Sequence, residues 1–345
     1  MELKDFSYFL PDELIAQHPC QKRDRSRLLF LDKNKEKMAD SSFFQLPDFL
    51  QSGDVLVIND SKVIPARLFG KKPTGGILEI LLLTKKEIEK ESQKWEVLLR
   101  PAKRLRENDV IDLGNNCEAN ILARISDKKW LLEFFAPHGF EAYLNRFGRA
   151  PLPPYIKRKK NAEPDVTDRE RYQTIYAKNP GSIAAPTAGL HFSADVLQTL
   201  SAKGIQIAPI TLHVGYGTFL PIVVDEVEKH VMESEYYEIS TESSQVINNA
   251  RRIIAVGTTS TRTLESVADN DGYVQAKSGF TNFFIYPGYK FKRVNGLLTN
   301  FHLPQSSLFI LVCAFAGTDL IKKVYLHAIE NSYLFYSYGD CMLIL

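Results

Sequence analysis

Three histidines are the side chains best placed to do chemistry. His191, His213 and His302 lie in TAGLHF, LHVGYGTF and TNFHLP, stretches of small or turn-forming residues bounded by apolar ones. Taken singly, each reads as a hydrogen-bonded structural histidine. Three at the ends of expected sheet elements point to proton transfer or substrate contact by at least one, because imidazole titrates near neutral pH. None has the spacing of a zinc motif such as H-E-x-x-H, and no metal is expected. A carboxylate, Asp60, follows the apolar run Val55 to Ile58 in Asn59-Asp60-Ser61-Lys62. A turn accounts for this tetrad, and a reactive acid at a sheet edge accounts for it equally well.

Four small-residue segments could receive a ligand. Tyr172 to Phe192 opens with the helical spacing Tyr172, Ile175, Tyr176 and then becomes GSIAAPTAG, residues that permit close backbone approach. VGTTSTRTLES, Val256 to Ser266, reads as strand, turn and helix, with Thr258, Thr259 and Ser260 free to cap the helix. No Gly-Lys-Ser/Thr follows, so it is not a P-loop. Arg262, expected in the first turn of that helix, opposes the helix dipole unless it meets an anion. LHVGYGTF carries Gly215 and Gly217 without the full G-x-G-x-x-G, at the expected C-terminal end of a strand, where open α/β sheets bind ligands. TNFHLP places Asn300 beside His302. Tyr286-Pro287-Gly288-Tyr289 reads as a type II turn or as an aromatic face for a nucleobase.

Positioning these residues requires two kinds of framework. Between about Lys72 and Phe135 the chain reads as short strands alone: Ile77–Leu83, Trp95–Leu99, Val110–Leu113, Ala119–Ile125 and Trp130–Phe135. That spacing predicts a small barrel or sandwich. After Arg169 strands and helices alternate, which predicts an α/β sheet. The expected organisation is a discontinuous α/β domain from both chain ends, residues 1–71 and 150–345, with a β-rich, barrel-like insertion at 72–149.

The 345 residues carry 44% hydrophobic and 24% charged residues and a net charge of +2, an ordinary globular balance. Cys20, Cys117, Cys313 and Cys341 form no C-x-x-C pair, which argues against a zinc or iron–sulfur site and fits a reduced compartment. The start of the chain has no signal-peptide pattern, and the longest apolar run, Leu308 to Ala316, is far short of the ~20 residues of a membrane span. A cytoplasmic monomer without membrane association is expected. Two basic runs, Lys157-Arg158-Lys159-Lys160 and the group Arg100, Lys103, Arg104 and Arg106, read as solvated loops or as a phosphate-tracking face.

The four small-residue segments, together with FSYFLPDELIAQHPCQKRDRSRLLFLD, GDVLVINDSKVIPARLFGKK, WEVLLRPAKRL, PLPPYIKR, FIYPGYKFKRVNGLLTNFHLPQSSLFILVCAFAG and YLFYSYGDCMLIL, occur in one order along nearly the whole chain. They resemble the bacterial S-adenosylmethionine:tRNA ribosyltransferase-isomerase family of queuosine biosynthesis. The resemblance implies transfer and isomerisation of the ribosyl part of S-adenosylmethionine, a co-substrate, onto 7-aminomethyl-7-deazaguanine at the tRNA wobble position. Epoxyqueuosine-tRNA, adenine and methionine would be the products. For this chemistry Asp60, His191, His213 and His302 are the expected acid–base pool, with no step assigned to any one of them, and Arg262 with Thr258 and Thr259 is the expected anchor of the methionine end. Gly215, Gly217, Glu265, Tyr286 and Asn300 are the further substrate contacts, and Lys103, Arg104, Lys157, Arg158 and Lys159 are expected to hold tRNA phosphates. The chain departs from the family at Glu233, where a histidine is usual. Two rivals remain: a non-catalytic RNA-binding protein, which leaves the small-residue segments without purpose, and a methyltransferase, disfavoured by the missing G-x-G-x-x-G.

Overall fold

A computed structural model describes residues 1–88, 92–158 and 166–345. The described chain divides into two compact units, one of Met1–Lys62, Pro153–Lys157 and Arg171–Leu345, the other of Val63–Leu152 and Arg158–Glu170. In chain order the first strands are β1 (Arg27–Asp32), β2 (Lys37–Ser42), β3 (Asp54–Asn59), β4 (Ser61–Val63) and β5 (Arg67–Lys71). Then come β6 (Ile77–Ile88), β7 (Ser92–Arg100), β8 (Val110–Gly114), β9 (Cys117–Arg124) and β10 (Lys129–Phe135). Helices α1 (Phe140–Phe147) and α2 (Val166–Arg171) precede β11 (Asn179–Ser182), α3 (Ala194–Ala202), β12 (Gln206–Leu212) and β13 (Glu235–Ile239). The remainder is α4 (Thr241–Asn248), β14 (Arg252–Val256), α5 (Gly257–Val267), β15 (Lys277–Thr281), β16 (Gly296–Asn300), α6 (Ser307–Ala316), α7 (Thr318–Glu330) and β17 (Cys341–Ile344).

The larger unit is built on a nine-stranded mixed sheet in the order β15-β13-β12-β3-β14-β16-β17-β1-β2. Its centre is parallel: β3 pairs with β12 and β14, and β14 with β16. The apolar run of β3 explains this position, since all six of its residues are buried. Successive side chains of a strand point to opposite faces. Val55 and Val57 accordingly join one core cluster with α6 and α7, while Leu56 and Ile58 join another with α3. A strand covered on both faces reads as a continuous hydrophobic run rather than an alternation. After β3 the chain returns through β12 on one side and β14 on the other, so the strand order reverses there. Ligands of open α/β sheets bind outside the carboxyl ends of strands at such a reversal.

The smaller unit is a closed six-stranded barrel in the order β10-β7-β6-β5-β8-β9. The sequence-based border at Lys72 falls inside it, because β5 pairs with both β6 and β8. Arg67–Lys71 is too short and too mixed in polarity to declare its partner from sequence. A second expectation is also corrected. Tyr172 to Tyr176 is not helical, and α2 ends just before it. Tyr172 packs edge-on against Tyr338 and Tyr176 against Phe192, while Ile175 is exposed, so the three residues do not share one face.

Candidate active site

The carboxyl ends of β14 and β16 open into a cavity of about 480 Å³. Its walls come from Ala184–Ala188, from Val214 and Thr218 after β12, from Gly257–Thr259 at the start of α5, and from Thr299, Asn300 and His302 at the end of β16. Tyr155 and Tyr336, with ring centroids 3.9 Å apart, add aromatic surface. Among the described residues lining it, none is an acid, a lysine or an arginine. The small-residue run read from the sequence is therefore cavity wall. Tyr155, Tyr336 and Ser337 were missed, because a tyrosine between core segments carries no signal that separates lining from packing.

Helix α5 gives the cavity its polar end. It begins at Gly257, with φ +89, a conformation that suits glycine, and Val256 at its N-cap makes no side-chain cap. Thr258, Thr259 and Ser260 were expected to cap the helix and do not. Ser260 Oγ bonds back to Val256 O at 2.9 Å and Thr261 Oγ1 to Gly257 O at 3.1 Å. The N–H groups of the first turn are left without a capping side chain, at the positive end of the helix dipole. Thr259 Oγ1 is buried and has no hydrogen-bond partner among the described residues.

Because α5 starts at Gly257, Arg262 lies in its second turn rather than its first. Its guanidinium is buried and meets an anion from within the protein, the carboxylate of Glu235 on β13, through Nη2 to Oε2. The other oxygen of Glu235 accepts from Gly215 N at 2.8 Å and Thr218 Oγ1 at 3.3 Å. The pair thus fastens the Gly215–Thr218 loop that forms one cavity wall. Gly217 belongs to the same loop, and a Cβ there would lie 2.8 Å from Glu233 Oε2, so any larger residue must displace this chain's Glu233 side chain. Glu235 was missed in the sequence, because a buried arginine calls for a compensating partner without saying where in the chain that partner lies.

The other expected site residues separate into groups. His302 lines the cavity, with Nε2 2.7 Å from Thr299 Oγ1 and its backbone N–H bonded to Tyr325 Oη at 3.1 Å. Burial lowers its pKa to about 3, so it is neutral at pH 7. His191 is buried behind Asn300, its Nε2 3.1 Å from Asn300 Nδ2 and its Nδ1 2.7 Å from Ser26 Oγ. Burial, then the nearby Arg23, lowers its pKa to about 3 as well. Asp60 and His213 do not line the cavity. Asp60 accepts from Thr211 Oγ1 at 2.7 Å and from Asn179 Nδ2 at 3.1 Å. His213 stacks on Tyr236, and a Cβ at Gly181 would lie 2.7 Å from its ring. Burial pulls its pKa down, while Asp60 and Glu238 push it up.

Glu265 lies away from the cavity. Its carboxylate is held by Tyr289 Oη, Lys292 N, Arg293 N and Val294 N at 2.7–3.0 Å, so it fixes the loop after β15. Tyr286 begins a turn closed by Tyr289 N to Tyr286 O at 3.1 Å with Gly288 at φ +101, and it packs against Phe284 rather than in the cavity. In the barrel unit Lys103 and Arg104 are exposed, whereas Arg158 makes a two-point ion pair with Asp168 at 2.7 and 2.9 Å. Lys157 lies in the sheet unit with its N–H bonded to Gln17. Lys159 and Lys160 lie outside the described residues. No three His, Cys, Asp or Glu side chains among the described residues are grouped as metal ligands, and no described helix is long and apolar enough to cross a membrane.

A parallel-centred α/β sheet with an uncharged cavity at its strand ends, interrupted in sequence by a closed barrel, has the architecture of a ligand-binding α/β enzyme with an inserted module. The sequence model described as "Queuosine biosynthesis protein" matches residues 3–344. The S-adenosylmethionine:tRNA ribosyltransferase-isomerase of Syntrophus aciditrophicus is 54% identical over all of both chains. That of Natranaerobius thermophilus is 47% identical, over 100% of this chain and 99% of its own. A crystal structure of the S-adenosylmethionine tRNA ribosyltransferase of Thermotoga maritima matches with a TM-score of 0.55 at 33% identity, covering 99% of this chain and 100% of that one. The chain belongs to the S-adenosylmethionine:tRNA ribosyltransferase-isomerase family of queuosine biosynthesis enzymes.

Proposed function

We propose that this enzyme transfers and isomerises the ribosyl moiety of S-adenosylmethionine onto 7-aminomethyl-7-deazaguanine at the wobble position of cytoplasmic tRNA. The products are epoxyqueuosine-tRNA, adenine and methionine, and the cavity at the ends of β14 and β16 holds the sulfonium substrate. The observation that carries the reading is the cavity itself, which joins a largely apolar wall to an uncapped helix N-terminus in a chain of this family. The first-turn N–H groups of α5, with the hydroxyls of Thr258 and Thr259, suit the methionine carboxylate. Arg262 serves this site through Glu235 and the Gly215–Thr218 loop rather than by touching the carboxylate.

The chemistry needs a group to take a proton from the ribosyl carbon beside the sulfonium, and a group to protonate the departing adenine. His302 is the acid–base candidate on the cavity wall. Burial keeps its imidazole neutral and opposes the uptake of a proton, so its candidacy rests on its place in the cavity wall. Asp60 and His213 are reserves at the neighbouring ends of β3 and β12. The exposed Lys103 and Arg104 suit tRNA phosphates, which position the substrate without reading its sequence. Incubation with labelled S-adenosylmethionine and tRNA bearing the aminomethyl base tests the reading. Free adenine and methionine support it, and S-adenosylhomocysteine identifies a methyltransferase instead.

A further inference from the structure

We propose that Asn300 selects the base of the sulfonium substrate, its Oδ1 accepting a hydrogen bond from the 6-amino group of adenine, and that His191 is the positioning residue that holds the amide for this task. The proposal rests on the cavity being the S-adenosylmethionine site. Asn300 is 1% exposed and lies in the cavity wall. Its Nδ2 faces three acceptors, His191 Nε2 at 3.1 Å, Tyr336 O at 3.1 Å and Asp340 O at 3.3 Å. Its Oδ1 is buried and has no hydrogen-bond partner among the described residues. Turning the amide over would set the oxygen against two backbone carbonyls, so this orientation is enforced.

His191 completes the lock. With Nε2 accepting from Asn300, its proton sits on Nδ1 and is donated to Ser26 Oγ at 2.7 Å, and Ser26 Oγ in turn donates to Arg23 O at 3.4 Å. Both ring nitrogens are thereby committed. The histidine read from the sequence as a proton-transfer candidate acts through Asn300.

A buried acceptor with its carbonyl unpaired calls for a donor on the ligand. The amino group on the edge of adenine supplies one on a flat ring that fits a wall of alanine, proline and tyrosine. The substrate's ammonium is cationic and favours a carboxylate, of which none lines the cavity among the described residues. Ribose hydroxyls both donate and accept, so a lone carbonyl acceptor does not single them out as it does an amino group.

The test compares kcat/KM for S-adenosylmethionine with that for the analogue whose base is purine, lacking the 6-amino group. Modified tRNA is saturating in both cases. The parent enzyme should prefer the natural substrate by on the order of 10–100-fold, because the analogue leaves Oδ1 unpaired. Asn300→Ala should reduce the preference to within about threefold by lowering kcat/KM for the natural substrate alone. His191→Ala should do the same, mostly through KM, whereas loss of a general base would lower kcat for both substrates alike. A parent enzyme that uses both substrates equally overturns the proposal and leaves the proposed reaction standing, without reliance on any variant. A folded Asn300→Ala enzyme that keeps the full preference also overturns it. If the parent releases neither adenine from S-adenosylmethionine nor purine from the analogue, the proposed reaction fails and the inference with it.

Discussion

Replacing Arg262 by methionine should destabilise the sheet unit severely, for a reason the sequence conceals. Arg262 and Glu235 are 2% and 4% exposed, and their ion pair joins α5 to β13. Methionine keeps much of the arginine's volume but leaves the Glu235 carboxylate buried with Gly215 N and Thr218 Oγ1 as its donors among the described residues. Breaking a buried pair by removing one partner typically costs about 3–5 kcal/mol, a large share of the roughly 5–15 kcal/mol by which domains are stable. Removing both charges, in Arg262→Met with Glu235→Leu, should recover most of the loss, because no uncompensated charge remains. The assay is urea unfolding followed by far-ultraviolet circular dichroism, which reports the helices, most of which are in the sheet unit. Both tryptophans, Trp95 and Trp130, are in the barrel, so fluorescence follows that unit separately. If Arg262 instead gripped the substrate carboxylate, the single variant would keep its stability within about 1 kcal/mol and lose affinity for S-adenosylmethionine. That result would refute the internal pairing.

His191 and His302 both have pKa values lowered to about 3 by burial, below the unfolded value of about 6.5. Below pH 6.5 the unfolded chain therefore binds protons that the folded chain refuses, and stability falls as pH drops toward 3. The slope should reach about 1.4 kcal/mol per pH unit for each histidine, and His302→Gln should remove one such share between pH 6 and 4. An unchanged slope in urea titrations across that range would contradict the burial of a neutral imidazole. Arg158→Ala should lower barrel stability by about 1–3 kcal/mol, read by tryptophan fluorescence, because Asp168 loses a two-point charged partner. Lys103→Ala with Arg104→Ala should leave that stability within about 0.5 kcal/mol and flatten the salt dependence of tRNA binding. The opposite assignment of effects would return Arg158 to the phosphate-binding face.

How legible the fold was depended on whether a residue's task left a local trace. The all-apolar Val55–Ile58 declared a strand buried on both faces, and the strand-only stretch declared a small β-unit, barrel or sandwich, which the structure closes as a barrel. Strand β5 escaped because barrel closure is a long-range event, and Arg67–Lys71 has no period of its own. The run from Ala184 to Ala188, read from the sequence as a place of close backbone approach, lines the cavity. Arg262 announced that it needed an anion but not which one. Glu235 lies 27 residues earlier on a strand whose partner in space is set by sheet order. The histidines looked alike in sequence, each set among small or apolar neighbours. What separates His302 on the wall from His191 behind Asn300 and from His213 against Tyr236 is three-dimensional placement alone.

On the proposed reading, ribosyl transfer occurs in the cavity between Ala184–Ala188 and the start of α5. The most direct measurement is a single-turnover assay of adenine and methionine release from labelled S-adenosylmethionine on tRNA bearing 7-aminomethyl-7-deazaguanine, with the parent enzyme and with Ala185→Leu. Ala185 lines the cavity, and three added carbons should fill part of the space the substrate needs. The parent should release both products. The folded variant should release them at least about 100-fold more slowly, the penalty of misplacing a substrate by about an ångström. S-adenosylhomocysteine from the parent, or unimpaired release by the folded variant, would contradict the claim.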